Sequence, residues 1–183
     1  MKSSTEPYST GGFYSSNLSV TPEVRSQLID ILNQTLATTL DLKSQVKQAQ
    51  WNITGANSYH LYELFDEIAT ELEVCIDLLA ERITSMGGLA MGTTRTVVRQ
   101  SILPEYPVQM MESKDHVVSL AERLAIYGTL LWENIDRTSV LGDSDTAYLY
   151  AEVSLVIDKR LWFFDALIVS AHVGQNQQVL SHN

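Results

Sequence analysis

The sequence predicts an all-α protein built as a four-helix bundle, and three observations support this. Apolar residues recur with a helical period over four long segments, no segment shows strand-like alternation, and turn-forming residues separate the segments. The 183 residues are 45% hydrophobic and 19% charged, an ordinary globular balance. We expect one bundle domain over residues 21–175, with an N-terminal tail over 1–20 and a C-terminal tail over 176–183.

The local start and stop signals of the helices give their approximate bounds. Thr21 can cap the first helix and Pro22 suits its first turn, whereas Gly87 and Gly88 end the second. We expect a short helix that includes Thr96 in the long connection over residues 89–107. The four long helices are predicted at residues 21–51, 58–86, 113–140 and 143–173. The long connection fits an up-up-down-down, ferritin-like arrangement with a short helix in its crossover better than a simple up-down bundle.

Composition narrows the classes of function. The chain has 22 acidic and 12 basic residues and a formal net charge of -10, which disfavours binding to a phosphate backbone and suits attraction of cations. Residues 1–20 carry Lys2 as their one basic side chain, so DNA binding is not expected. Neither a membrane span nor a secretory segment is recognisable, and we expect a cytoplasmic protein. Cys75 is the single cysteine, which excludes an intrachain disulfide and a thiolate zinc site.

An acidic stripe borders the apolar face of the second helix. Asp77 and Glu81 are four residues apart, and Asp66 returns to nearly the same angle as Asp77 after three turns. Such oxygen ligands suit iron, manganese or magnesium. The alternative is a solvated helix face that pairs with Arg82 and other basic groups. A di-iron bundle also needs Glu-x-x-His pairs on separate helices, and their absence favours a metal site shared between subunits.

Residues 47–88 resemble the signature of the Dps family, the mini-ferritins. That signature reads HWN-x-x-G, then His-x-x-x-Asp, then Asp-x-x-x-Glu-Arg. The resemblance continues through Asp115-His116-Val117, Leu141-Gly142-Asp143 and residues 158–163, and it covers about residues 20–173. It implies a homo-oligomer, a dodecameric shell of four-helix subunits, that oxidises Fe(II) with peroxide or dioxygen at sites between two subunits and stores ferric mineral inside.

Asp66, Asp77 and Glu81 match three metal ligands of the family, and two other positions depart from it. Gln50 and Tyr62 stand where the family has histidines, although an amide carbonyl and a phenol can also bind a cation. The site is then oxygen-rich, or recruits another histidine, or has lost much of its ferroxidase activity. His60 is the nearest candidate histidine, but it lies two residues from Tyr62 and so about 200° away around an ideal helix.

The resemblance also suggests roles for residues around the metal site. Trp51 adjoins Gln50 and either packs or intercepts oxidising equivalents, whereas Trp132 and Trp162 fit the core or an interface. Asp143 and Asp145 fall where the family lines acidic pores for Fe(II), although Asp143 is equally suited to cap a helix. Zinc or another divalent metal is a possible competitor of iron. The alternative function is a metal-binding or DNA-associated cage with little ferroxidase activity.

Overall fold

The computed structural model describes residues 20–55, 58–109 and 112–180, with side chains in the last range described up to residue 170. These residues form five helices and no strand, which confirms the all-α fold class. The helices are α1 Pro22–Asn52, α2 Ser58–Ser85, α3 Thr94–Gln100, α4 Ser113–Val140 and α5 Ser144–Leu180. All predicted helices are therefore confirmed, and α5 continues beyond its predicted end at residue 173. No helix in this part of the chain is long and apolar enough to cross a membrane.

Most residues of the two predicted tails are not among those that the structure describes. Residues 1–19 of the N-terminal tail and 181–183 of the C-terminal tail lie outside the described residues. Residues 176–180 belong to α5. The predicted boundary between the bundle and its C-terminal tail stays a prediction.

Local interactions begin and end the helices where the sequence indicates. The Thr21 side chain caps α1 by accepting a hydrogen bond from the Val24 amide at 3.4 Å, with proline in the first turn. Gly87 follows α2 with a φ of 81°, a left-handed conformation that favours glycine. A Cβ atom on Gly88 would lie 2.9 Å from the Ile29 side chain, so this turn also packs tightly against α1.

Hydrogen bonds between helices show how the chain runs through the bundle. As residue numbers rise along α1, those of the hydrogen-bond partners on α4 fall. The pairs are Thr35 with Asn134, Thr39 with Tyr127 and Gln45 with Arg123. Hence α1 and α4 are antiparallel, and the short connections make α1 antiparallel to α2 and α4 antiparallel to α5. The order is up-down-down-up, not the up-up-down-down order that the sequence suggested. The prediction was wrong because only one connection, between α2 and α4, is long enough to run the length of the bundle.

The interior combines aliphatic packing with two buried phenols. The Tyr127 hydroxyl lies 2.6 Å from the Thr39 hydroxyl, and the Tyr150 hydroxyl lies 3.0 Å from that of Thr35. Each of these partners lies on α1, so the two tyrosines join α1 to α4 and to α5. Cys75 is buried in the same core, where burial raises the pKa of its thiol to about 11.

Polar contacts hold the crossover against the bundle. The Ser101 hydroxyl donates a hydrogen bond to the Asp41 carboxylate on α1, at 2.5 Å. The buried Arg123 guanidinium on α4 donates to the backbone carbonyl of Glu105 at 2.9 Å. The crossover is therefore bound to both α1 and α4.

Candidate metal centre

A buried amide meets an exposed carboxylate where the end of α1 packs on the start of α2. The Gln50 side chain is 1% exposed, and its Nε2 donates to Asp66 Oδ1 at 3.0 Å and to the Tyr62 backbone carbonyl at 3.2 Å. A carbonyl can only accept, so the amide nitrogen must face it and the orientation of the amide is fixed. Among the described residues, the buried Gln50 Oε1 has no hydrogen-bond partner. The amide that contacts Asp66 through its nitrogen therefore carries an unengaged, buried acceptor oxygen.

A lysine contacts the same carboxylate oxygen. Lys47 lies one turn before Gln50 on α1, and its Nζ is 3.2 Å from Asp66 Oδ1. Two hydrogen bonds hold the pKa of Asp66 below its ordinary value, and the bond from Gln50 contributes more than the bond from Lys47. Asp66 is therefore ionised at neutral pH, and a cation arriving there competes with Lys47.

Two aromatic side chains near this contact remain exposed. The Tyr62 side chain is 48% exposed and contributes its backbone carbonyl, not its phenol, to the contact with Gln50. Trp51 is 68% exposed at the end of α1, and the Lys47 ammonium lies 5.9 Å from the centre of its ring. Trp51 is thus not packed within the subunit, which was one of its two predicted roles.

Asp77 and Glu81 lie further along α2, and both are exposed. The eleven residues from Asp66 to Asp77 correspond to about 16 Å along the helix, too far for both carboxylates to bind one ion. In the described ranges, no three His, Cys, Asp or Glu side chains are grouped closely enough to hold a metal ion. The structure thus brings Gln50 and Asp66 together and keeps Asp77 and Glu81 apart from them. The sharing of these residues between subunits stays a prediction.

His60 does not join the Gln50 and Asp66 contact within the subunit. The α2 helix is regular from Ser58 onward, so the irregular start that would redirect His60 is absent there. Its ring instead lies edge-on to Tyr59, with centroids 5.9 Å apart. His60 is exposed, and a role as ligand stays a prediction.

The two acids predicted to line a pore differ in their surroundings. Asp143 is buried and caps α5 by accepting from the Thr146 amide at 3.3 Å, while Arg82 donates to both of its oxygens at 2.7 and 3.0 Å. Burial by itself raises the pKa of Asp143, but the hydrogen bonds from Thr146 and Arg82 outweigh it and hold this pKa below its ordinary value. Asp145 is 80% exposed. The cap is therefore observed for Asp143, and the pore stays a prediction for both residues.

Sequence reasoning missed Lys47 as part of the site. Its position three residues before Gln50 places it on the same face of α1, which is a signal that the sequence contains. It also missed the buried Arg160, which binds Glu71 through two hydrogen bonds of 2.6 Å. No comparable local signal exists for that pair, since its members lie 89 residues apart.

Four long helices with one long crossover, and carboxylates on the second helix, define a ferritin-like subunit. Residues 29–171 match the ferritin-like domain family, in agreement with this class. The solved structure of DpsC from Streptomyces coelicolor superimposes with a TM-score of 0.82 at 28% identity, covering 87% of this chain and 94% of that one.

Two relatives of known family show which kind of ferritin-like protein this chain is. The DNA protection during starvation protein of Agrobacterium fabrum is 35% identical over 142 residues, which cover 78% of this chain and 88% of the relative. The protein of the same name from Halobacterium salinarum is 32% identical over 129 residues, covering 69% of each chain. This chain belongs to the Dps family of mini-ferritins.

Proposed function

We propose that this protein oxidises Fe(II) and stores the ferric product inside a cage made of copies of this chain. Iron is both the substrate and the cargo. Peroxide or dioxygen accepts the electrons, and removing free Fe(II) in the cytoplasm protects the cell against oxidative stress.

The contact between Gln50 and Asp66 carries this proposal. A buried acceptor without a partner costs about 1–3 kcal/mol, and a cation bound beside it removes that cost. Gln50 Oε1 is such an acceptor, and the adjacent Asp66 carboxylate is ionised at neutral pH. A neutral oxygen next to a negatively charged oxygen is a donor set that suits a hard or borderline cation.

A second copy of the chain completes the proposed site. Asp77 and Glu81 are exposed and, among the described residues, form no ion pair with a cation of their own subunit. If the α2 helices of two subunits lie side by side, Asp66 of one meets Asp77 and Glu81 of the other. This accounts for an acidic stripe whose members lie too far apart to act within one chain.

Exposed apolar side chains support an oligomer. Tyr148, Leu155, Trp162 and Val169 repeat every seven residues along α5, and each is more than half exposed. Trp132 on α4 is exposed as well. Soluble monomers seldom expose several large apolar side chains along one side of a helix, so contact with further copies is favoured. The resemblance to the family makes a dodecamer the proposed assembly.

In the proposed reaction, the protein binds Fe(II) ions and holds the ferric product inside the cage. Two Fe(II) ions give up one electron each, and one peroxide molecule takes both electrons with two protons to form two water molecules. Carboxylates such as Asp77 and Glu81 stabilise Fe(III) more than Fe(II), which favours the oxidation. Exposed acids such as Asp145 would draw Fe(II) toward the cage, and Trp51 would supply an electron where a second Fe(II) is missing.

Iron oxidation by the assembled protein tests the proposal. Metal-free protein is mixed with Fe(II) without oxygen, peroxide or dioxygen is added in separate runs, and ferric absorbance is followed while the assembly is sized. The wild-type protein should exceed the buffer rate. Asp77→Ala should lower the initial rate at least about tenfold, because a direct ligand is lost.

Asp30→Ala is the matched control, since it removes an exposed acid of α1 outside the proposed site and should leave the rate unchanged. Buffer-like rates for the wild-type cage would favour metal binding with little oxidation, which Gln50 and Tyr62 make the main alternative. The relatives' name refers to DNA protection, but the net charge of -10 predicts no retarded DNA complex at low salt.

A further inference from the structure

We infer that the metal site selects against Zn(II), because Gln50 supplies a neutral carbonyl oxygen and, among the described residues of the subunit, no imidazole or thiolate lies beside Asp66. The inference rests on the proposed function, since it concerns the metal preference of the same site. It identifies the substrate class as cations that accept an all-oxygen ligand set.

The first step is the orientation of Gln50. Its Nε2 donates to the Tyr62 carbonyl and to Asp66, so Oε1 is the polar atom of this amide that no hydrogen bond engages among the described residues. Oε1 is buried and, in the described part of the chain, unpartnered. The side chain is 99% covered, so water does not readily replace the missing partner.

The second step is the position of the softer ligands. Of the two histidines with described side chains, His60 lies against Tyr59 and His116 is buried with Nδ1 2.7 Å from the Tyr106 hydroxyl. Cys75 is buried in the hydrophobic core, so its thiol does not face Asp66 on the exposed side of α2. Within the described residues, the atoms around Asp66 that can bind a cation are therefore oxygens.

The third step is the chemistry of the cations. Zn(II) gains most from imidazole and thiolate ligands, whereas carboxylate and carbonyl oxygens suit Mn(II) and iron. Zn(II) normally outcompetes Fe(II) and Mn(II) at nitrogen-rich sites. Replacing imidazole by the Gln50 carbonyl therefore removes much of the advantage of Zn(II) and little of the affinity for Mn(II).

The test compares the affinities of Zn(II) and Mn(II) by calorimetry on the metal-free assembled protein. Gln50→His should tighten Zn(II) binding at least about tenfold and change Mn(II) binding by less than about threefold. Gln48→His adds a histidine two residues away on α1, where it faces another direction, and should change neither affinity. Tyr62→His repeats the test at a half-exposed position, in case the buried Gln50 position does not tolerate a ring.

Asp66→Ala separates the two possible failures. If this variant binds Mn(II) as tightly as the wild type, Asp66 is no ligand and the proposed site fails with the inference. If Mn(II) binding needs Asp66 but neither histidine variant tightens Zn(II) more than Gln48→His does, the selectivity inference is overturned and the proposed site stands.

Discussion

Two groups of acids on α2 differ in what they face. Glu71 and Glu67 contact the buried Arg160 guanidinium of α5, at 2.6 Å and 3.2 Å. Asp77 and Glu81 lie on the same helix but, in the part of the chain that the structure describes, form no ion pair. The first group compensates a buried charge within the subunit. The second group is left to solvent and to added cations, so acids of one helix have separate tasks.

The surroundings of Asp66 combine features of both groups. Asp66 is exposed like Asp77, yet Lys47 and Gln50 both contact one of its oxygens. Lys47 acts here as a counterion that an arriving cation must displace. The comparison therefore predicts different outcomes for removing a paired acid and an unpaired one.

The largest effect is expected from Glu71→Ala. Glu67, at 3.2 Å, is then the one carboxylate among the described residues that still pairs with the buried Arg160, and breaking a buried pair from one side costs about 3 kcal/mol. The free energy of unfolding, measured by urea denaturation of metal-free protein at fixed concentration, should fall by that amount.

Two controls define the comparison for Glu71. Glu67→Ala removes the longer and more exposed contact and should cost less than about 1 kcal/mol. Glu81→Ala should change the free energy of unfolding by less than about 0.5 kcal/mol. A loss at Glu81 equal to that at Glu71 would show that the unpaired acids also stabilise the subunit.

The helices could be predicted from the sequence because their signals are local. Thr21 with Pro22 begins α1, and Gly87 ends α2, within one turn of the residues that they affect. Helix direction was harder to predict, since it depends on which faces pack together. The contact between Gln45 on α1 and Arg123 on α4, 78 residues apart, settles what no local pattern contains.

The candidate site could be predicted in part for the same reason. Asp66, Asp77 and Glu81 share one face of one helix, so periodicity alone indicates a stripe. Periodicity cannot show which acids are neutralised by a distant cation, as Glu71 is by Arg160 of another helix. The unpartnered oxygen of Gln50 was likewise beyond sequence reasoning, because it follows from two hydrogen bonds made by the same amide.

A smaller effect is expected for Asp143, which caps α5 and pairs with Arg82 near the end of α2. Asp143→Ala removes both the cap of α5 and the partner of Arg82, and should lower the free energy of unfolding by about 2 kcal/mol at pH 7. Asp143→Asn can still cap the helix, so it should cost less and isolate the contribution of the charge.

The effect of Asp143 should depend on pH with a definite sign. Its pKa is lower in the folded protein than the ordinary value of 3.8, so its charge stabilises the folded state fully above pH 3.8. That stabilisation is lost as the pH falls through the folded value. The difference in the free energy of unfolding between the wild type and Asp143→Asn, measured by urea denaturation, should thus be largest near pH 7. It should shrink toward zero as the pH falls below 3.8. A difference that stays constant over this range would mean that the carboxylate charge contributes nothing.

The smallest effect is expected for Lys47→Gln, which removes the cation paired with Asp66 and so makes this acid resemble the unpaired Asp77. Removing the ammonium frees Asp66 Oδ1 from a competing cation, and exposed ion pairs are weak, so Mn(II) should bind only about two- to fivefold more tightly. The gain should shrink at high salt, because salt already screens the Lys47 charge in the wild type. Lys43→Gln, which removes the lysine paired with Glu73 one turn away, is the matched control and should leave Mn(II) binding unchanged. Weaker binding in Lys47→Gln would mean that Lys47 positions Asp66 for the metal, and the comparison between paired and unpaired acids would then fail at this site.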